Sequence, residues 1–280
     1  MHAWQWQKLK GIDRLILREA RLQAHYAVQW LARAARAYVA PRPDDGHTNL
    51  GWDDRLPGFV AHPLPGGRVL GLNTATLTLH LSGEPGRASE RSIGLGGHRD
   101  ADICAWLGEE FAACSLDARA LDAPLPYQLP DHPLGHGAAY TMAGLGEAMA
   151  ELVAWYANAN GILGEARRRI VARGIAAPPV RCWPHHFDLD SLIALAPAPR
   201  TVGLGFSPGD EYYEQPYFYV SAYPPPDVTT LPALPSLGHW HTHDFTAAVA
   251  IADRLTAAAD PRAATAAVVQ AAADILIERS

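Results

Sequence analysis

Apolar residues recur at helical spacing over residues 12–40, IDRLILREARLQAHYAVQWLARAARAYVA, through Leu15, Leu22, Tyr26, Trp30 and Ala34, until Pro41 stops the run. This spacing predicts a long amphipathic helix. His25 and Gln29 lie four residues apart on it, so they share a face and can point together at a polar cavity. Over 68–81, RVLGLNTATLTLHL, the pattern changes to strand alternation, with Thr74, Thr76, Thr78 and His80 on one face and Leu77, Leu79 and Leu81 on the other. Helical spacing returns over 100–114 through Ile103, Trp106, Leu107 and Phe111, and again over 138–173. Gly144, Gly146, Gly161 and Gly164 weaken that last helix, and a break is expected near Asn160-Gly161.

Gly174 and Pro178-Pro179 end the helix, and three candidate strands follow at 180–195, 201–206 and 216–223. The last of these, PYFYVSAY, is aromatic-rich and β-prone. Two Ala-rich stretches, 245–259 and 261–277, read as helices. The order of elements gives an α+β class: long amphipathic helices packed on a mainly antiparallel sheet, with room for two pseudo-equivalent helix-then-sheet halves. We expect a single α+β domain over residues 1–280.

Composition narrows the functional classes. With 49% hydrophobic and 19% charged residues the chain can bury a full core. A net charge of -6 and only two lysines, Lys8 and Lys10, argue against nucleic acid as a partner, because phosphate neutralisation needs clustered cations. Arginine over lysine, with abundant Ala, Pro and Gly, points to a high-GC bacterial source. Cys104, Cys114 and Cys182 form no CxxC pair and are odd in number, so neither a disulfide framework nor a cysteine zinc site is indicated. No run of about 18 apolar residues could span a membrane, and the opening MHAWQWQKLKGIDR lacks the apolar core of a signal peptide. A cytoplasmic location without a membrane partner is the expectation.

Chemistry concentrates in two places. GHWHTHD, residues 238–244, carries three imidazoles and a carboxylate; if it is extended, His239, His241 and His243 share a face. PHHFDLD, residues 184–190, read as a strand, puts His186, Asp188 and Asp190 on one face, with His186 and Asp188 about 7 Å apart. Imidazole with carboxylate suits a divalent metal such as iron, zinc or manganese. The first expectation is therefore a metal-dependent enzyme acting on a small organic molecule. His186, Asp188, His239 and His241 would be ligands, Glu211 or Glu214 a base, and Tyr213, Tyr217 and Trp240 pocket walls. His186-x-Asp188 with a later His243 and Arg254 is similar in spacing to the 2-oxoglutarate-dependent iron oxygenases, although a helical FTAAVAIADRL departs from that family's strand. The alternative is a metal-free small-molecule-binding or interaction module. In it the face bearing His25 and Gln29 and the strand Tyr217-Phe218-Tyr219 line a cavity, and the histidines are hydrogen-bonding wall residues. For GHWHTHD that alternative places Thr242 or Asp244 as the cap of a following helix.

The order of HYAVQWLARAARA, WPHHFDLDSL and PYFYVSAYPPP resembles a group of bacterial proteins classed as a domain of unknown function, over about residues 20–245. The Phe-Asp-Leu segment of that group maps to Phe187, Asp188 and Leu189. The resemblance implies the order of elements and no activity.

Overall fold

A computed structural model describes residues 4–83, 91–196 and 199–279. The chain is α+β, with two antiparallel sheets and five α-helices among the described residues. It divides into two compact units. One comprises Ile12–Val153 and Cys182–Phe187; the other comprises the N-terminal residues to Gly11, Ala154–Arg181 and the chain from Asp188 onward. Each contains a long helical run and an antiparallel sheet. Among the described residues no helix is long and apolar enough to cross a membrane.

In the first unit, α1 (Arg14–Tyr38) starts where the Asp13 carboxylate accepts from the backbone N–H groups of Leu15 and Ile16, an N-cap that fills two otherwise orphaned donors. It ends at Val39, which is already extended ahead of Pro41. Of the expected stripe, Leu22, Trp30 and Ala34 are buried and Tyr26 is half-buried, but Leu15 is exposed; from Ala20 to Ala35 burial extends nearly all round the helix, taking in Ala24, Ala27, Val28 and Leu31 as well. The sheet runs β1 (Gly51–Asp53), β2 (Gly58–Val60), β3 (Val69–Asn73), β4 (Thr78–Ser82), β5 (Arg91–Gly94) in space as in sequence. The expected single strand over 68–81 is instead a β3–β4 hairpin. Residues 74–77 reverse the chain, with the Asn73 side chain accepting from Thr76 N–H and Leu77 at φ 46. Leu72 therefore pairs with Leu79 and Leu70 with Leu81, and all four leucines are buried. Helix α2 (Asp100–Ala112) follows, as expected.

Helix α3 (Gly146–Ala172) begins later than the sequence pattern suggested and runs unbroken through Gly161. Its residues from Ala154 belong to the second unit. There the glycine makes room: a Cβ at 161 would lie 2.3 Å from the Trp4 ring. That ring is pinned by its N–H donating to Glu165 and by the Arg262 guanidinium 4.5 Å from the ring centroid.

The expected strand over 180–195 is two strands, β6 (Arg181–Trp183) and β7 (Asp188–Leu195), separated by a turn at 184–187. Within the second unit the sheet continues antiparallel from β7 to β8 (Arg200–Ser207), β9 (Tyr217–Tyr223), β11 (Ala247–Ile251) and β10 (His239–His241). The stretch 245–259, expected as a helix, supplies β11 and only a short α4 (Ala252–Thr256). Alanine's helix preference yields here because the position between β9 and β10 offers a full ladder on both sides, and tertiary context overrides propensity. Arg254 consequently lies in α4 and not in a strand.

Alternation then sorts the two faces of this sheet. Leu189, Ile193, Val202, Leu204, Phe206, Phe218 and Val220 are buried on one face, where Phe206 meets Trp155 and Tyr156 of α3. Helix α5 (Pro261–Arg279) packs on β8, β9 and β11. The strand registers place Asp190, Gly205, Tyr219, Val249 and His239 in a row across the opposite face, with Gly203, Ser221, Ala247 and His241 in the next row.

Candidate functional site

The GHWHTHD cluster is extended at 239–241, so His239 and His241 do share a face. What they face is Tyr213. Its hydroxyl lies 3.0 Å from His239 Nε2 and 2.8 Å from His241 Nδ1. His241 Nε2 sits 2.6 Å from the His243 carbonyl oxygen, which can only accept, so this nitrogen carries the proton. In this arrangement Nδ1 accepts from the Tyr213 O–H, and the same hydroxyl accepts from His239 Nε2–H. His239 is held below the usual imidazole range by burial first, then by Arg254 and His241. No helix follows Thr242 or Asp244, so neither is a helix cap; Asp244 takes φ 64 in the turn before β11.

Tyr213 is placed by the turn at 207–210. The Asp210 carboxylate accepts from the backbone N–H groups of Tyr212 and Tyr213, from the Ser207 hydroxyl and from the Tyr217 hydroxyl. Tyr219, lying across Gly205, donates to Asp188. Asp190 is pushed well above the usual carboxylate range, by burial first and then by the charge of Asp188. Trp240 points to the other side of its strand and donates to the Pro232 carbonyl at 2.9 Å. Glu211 and Glu214 are exposed on the loop ahead of β9. Among the described residues no group of three or more His, Cys, Asp or Glu side chains is arranged to hold a metal ion.

His186 belongs to the other unit. It is exposed on the 184–187 turn, so the His-x-Asp alternation that required a strand through His186 does not form. Leu50 and Cys182 exchange two backbone hydrogen bonds of 2.9 Å just ahead of this turn, and Phe187 leaves it at φ 58. His25 and Gln29 act together, as their spacing suggested. The His25 Nε2–H and one Gln29 amide hydrogen both donate to the Pro184 carbonyl at 2.9 Å. The other amide hydrogen returns to the His25 carbonyl, and Tyr127 O–H donates to Gln29 Oε1 at 2.8 Å. His25 stacks on Phe187, centroids 5.1 Å apart. Burial, reinforced by Arg21, His186 and His185, lowers His25 to about 4, so it is neutral at pH 7.

One turn further along α1 the chain opens a cleft of about 560 Å³. Tyr26, Gln29, Trp30 and Arg33 line it at helix positions i, i+3, i+4 and i+7, a single stripe. Asp100 at the start of α2 and Tyr140 add further walls, and Leu125, Tyr127 and Leu129 come from the segment between α2 and α3. The walls satisfy their own polar groups: Tyr26 O–H donates to the Pro130 carbonyl, and Trp30 N–H donates to the Tyr140 hydroxyl. Burial raises Tyr140, and pushes Tyr127 up to about 12, so both hydroxyls stay neutral. Two charged groups differ. The Arg33 guanidinium, 5.6 Å from the Trp30 ring centroid, has two long bonds to the carbonyls of Leu121 and Ala123, 3.3 and 3.4 Å. Asp100 is raised by burial against the pull of Arg33, and its buried Oδ1 has no hydrogen-bond partner among the described residues.

Of the residues expected to form a site, Gln29 lines this cleft, whereas His239, His241 and Tyr213 form a closed hydrogen-bonded group elsewhere. Arg33 and Asp100 were missed. The stripe Tyr26-Gln29-Trp30-Arg33 could have flagged Arg33, since a guanidinium in register with two aromatics is odd on a buried face. No protein-family model, curated protein or solved structure matches the chain.

Proposed function

We propose that this chain is a metal-free small-molecule-binding module whose ligand occupies the cleft beside α1. One observation carries the reading: a cleft of about 560 Å³ walled by the rings of Tyr26, Trp30 and Tyr140 also has Arg33 and Asp100, residues of opposite charge, in its lining. That volume suits a small organic ligand, and a few convergent polar groups on aromatic walls are what orient one. The metal-dependent reading draws less support, because the imidazoles it needs are engaged with Tyr213 and with a backbone carbonyl.

The test is a thermal-shift screen of small polar organic compounds against tag-free protein in excess EDTA. A ligand present at 100 times its Kd adds about 2.7 kcal/mol of stability, which is readily detected. Hits that survive EDTA and weaken or vanish in Leu125→Trp, which narrows the cleft, are expected. Stabilisation that requires a divalent ion and persists in Leu125→Trp would contradict the proposal.

A further inference from the structure

Resting on the cleft reading above, we infer that the ligand is an aminocarboxylate: a small molecule with a cationic nitrogen for Asp100, a carboxylate for Arg33 and an apolar or aromatic body. The argument is one of complementarity. The neutral side chains along α1 and facing it are used within the walls, by Tyr26 to Pro130, Trp30 to Tyr140 and Tyr127 to Gln29. The charged pair remains for a ligand.

Arg33 presents a planar fork of five N–H donors, and the two long carbonyl bonds it makes both fall on one terminal nitrogen. The rest of the fork matches the two oxygens of a carboxylate. Asp100, also in the lining, offers the opposite complement: a carboxylate, which accepts from an ammonium N–H. Arg33 and Asp100 sense each other electrostatically, yet no direct ion pair joins them among the described residues. A ligand with only an amine, or only a carboxylate, answers one of these half-buried charges and leaves the other without a ligand partner. A zwitterion answers both and enters without a net charge. Trp30, Tyr26 and Tyr140 give its body flat apolar surfaces. At the rim, Asp131 is already paired with His136 at 2.7 Å.

The experiment is isothermal titration of the full, metal-free chain with two zwitterions of different charge spacing, L-phenylalanine and 4-(aminomethyl)benzoate. Each is compared with its amine-only counterpart, phenethylamine or benzylamine, and its acid-only counterpart, 3-phenylpropionate or benzoate. At least one zwitterion is expected to bind ten times or more tighter than both of its counterparts. Arg33→Gln should then weaken the zwitterion and the acid while sparing the amine, and Asp100→Asn should weaken the zwitterion and the amine while sparing the acid. The wild-type rank order stands as a readout even where a variant folds poorly. A counterpart that binds as tightly as its zwitterion overturns the inference. If no compound in this panel binds but the thermal-shift screen yields hits that Leu125→Trp weakens or abolishes, the ligand class is wrong and the cleft reading survives. If neither experiment yields a cleft-dependent ligand, both fail.

Discussion

Replacing Phe206 with alanine is expected to destabilise the protein by about 3–5 kcal/mol, the usual cost of removing a fully buried aromatic ring. The ring lies on β8 and is completely buried. It stacks on Trp155 at 6.1 Å, meets Tyr156 edge-on at 5.4 Å and tilts against Phe218 at 5.2 Å. These partners come from a helix and a neighbouring strand, so no single local shift can close the cavity. The lost transfer free energy and the unfilled volume therefore add. Phe206→Leu, which leaves a smaller hole, should cost less. Urea denaturation of the three proteins measures this. A loss below about 1 kcal/mol for the alanine variant would mean that the ring is not packed where α3 meets the sheet.

Acidification should remove up to roughly 3 kcal/mol of stability through His25 alone. In the folded chain its pKa is lowered from 6.5 to about 4. Between those values the unfolded chain binds a proton that the folded chain refuses, so stability rises with pH across this window. The contribution is fully present above pH 6.5, falls as the pH drops, and levels near pH 4. Other groups act in the same range. His185 is also lowered to about 4 and has the same sign, whereas Asp100 and Asp190 are raised, so the folded state gains on acidification through them. The informative quantity is therefore the difference between wild type and His25→Gln. Gln29 continues to donate to the Pro184 carbonyl in that variant. Unfolding free energies measured from pH 7.5 to 4 should converge as the pH falls, with the wild type losing more. Parallel profiles would show that His25 is not buried in its neutral form.

The parts of this fold legible in the sequence are those in which periodicity and local preference agree. Helix α1 forms where its apolar spacing placed it, and β8 and β9 fall on two of the expected strands, the second marked by its aromatic, β-prone residues. The errors share a physical cause. The turns after Asn73 and Pro184 place Leu77 and Phe187 at φ 46 and 58, a region that sequence rules reserve for Gly and Asn, so Asn73 and Pro184 themselves were the only local signals for them. At Ala247–Ile251 an alanine-rich stretch is a strand because two neighbouring strands pair with it. The candidate site divides the same way. His25 and Gln29 are four residues apart and were visible as a pair. Arg33 and Asp100 are 67 positions apart, and only the packing of the α1 unit makes them neighbours.

The central claim is that this molecule takes its ligand in the cleft beside α1 and not at the Tyr213–His239–His241 group. Backbone amide chemical-shift mapping of the isotope-labelled protein, titrated with a compound from the EDTA screen, tests it most directly. The expected result is a set of perturbed amides around Tyr26 to Arg33, Asp100 and Tyr140, with the amides of 239–241 unmoved. Perturbations centred on Tyr213, His239 and His241, with the α1 amides silent, would contradict the account.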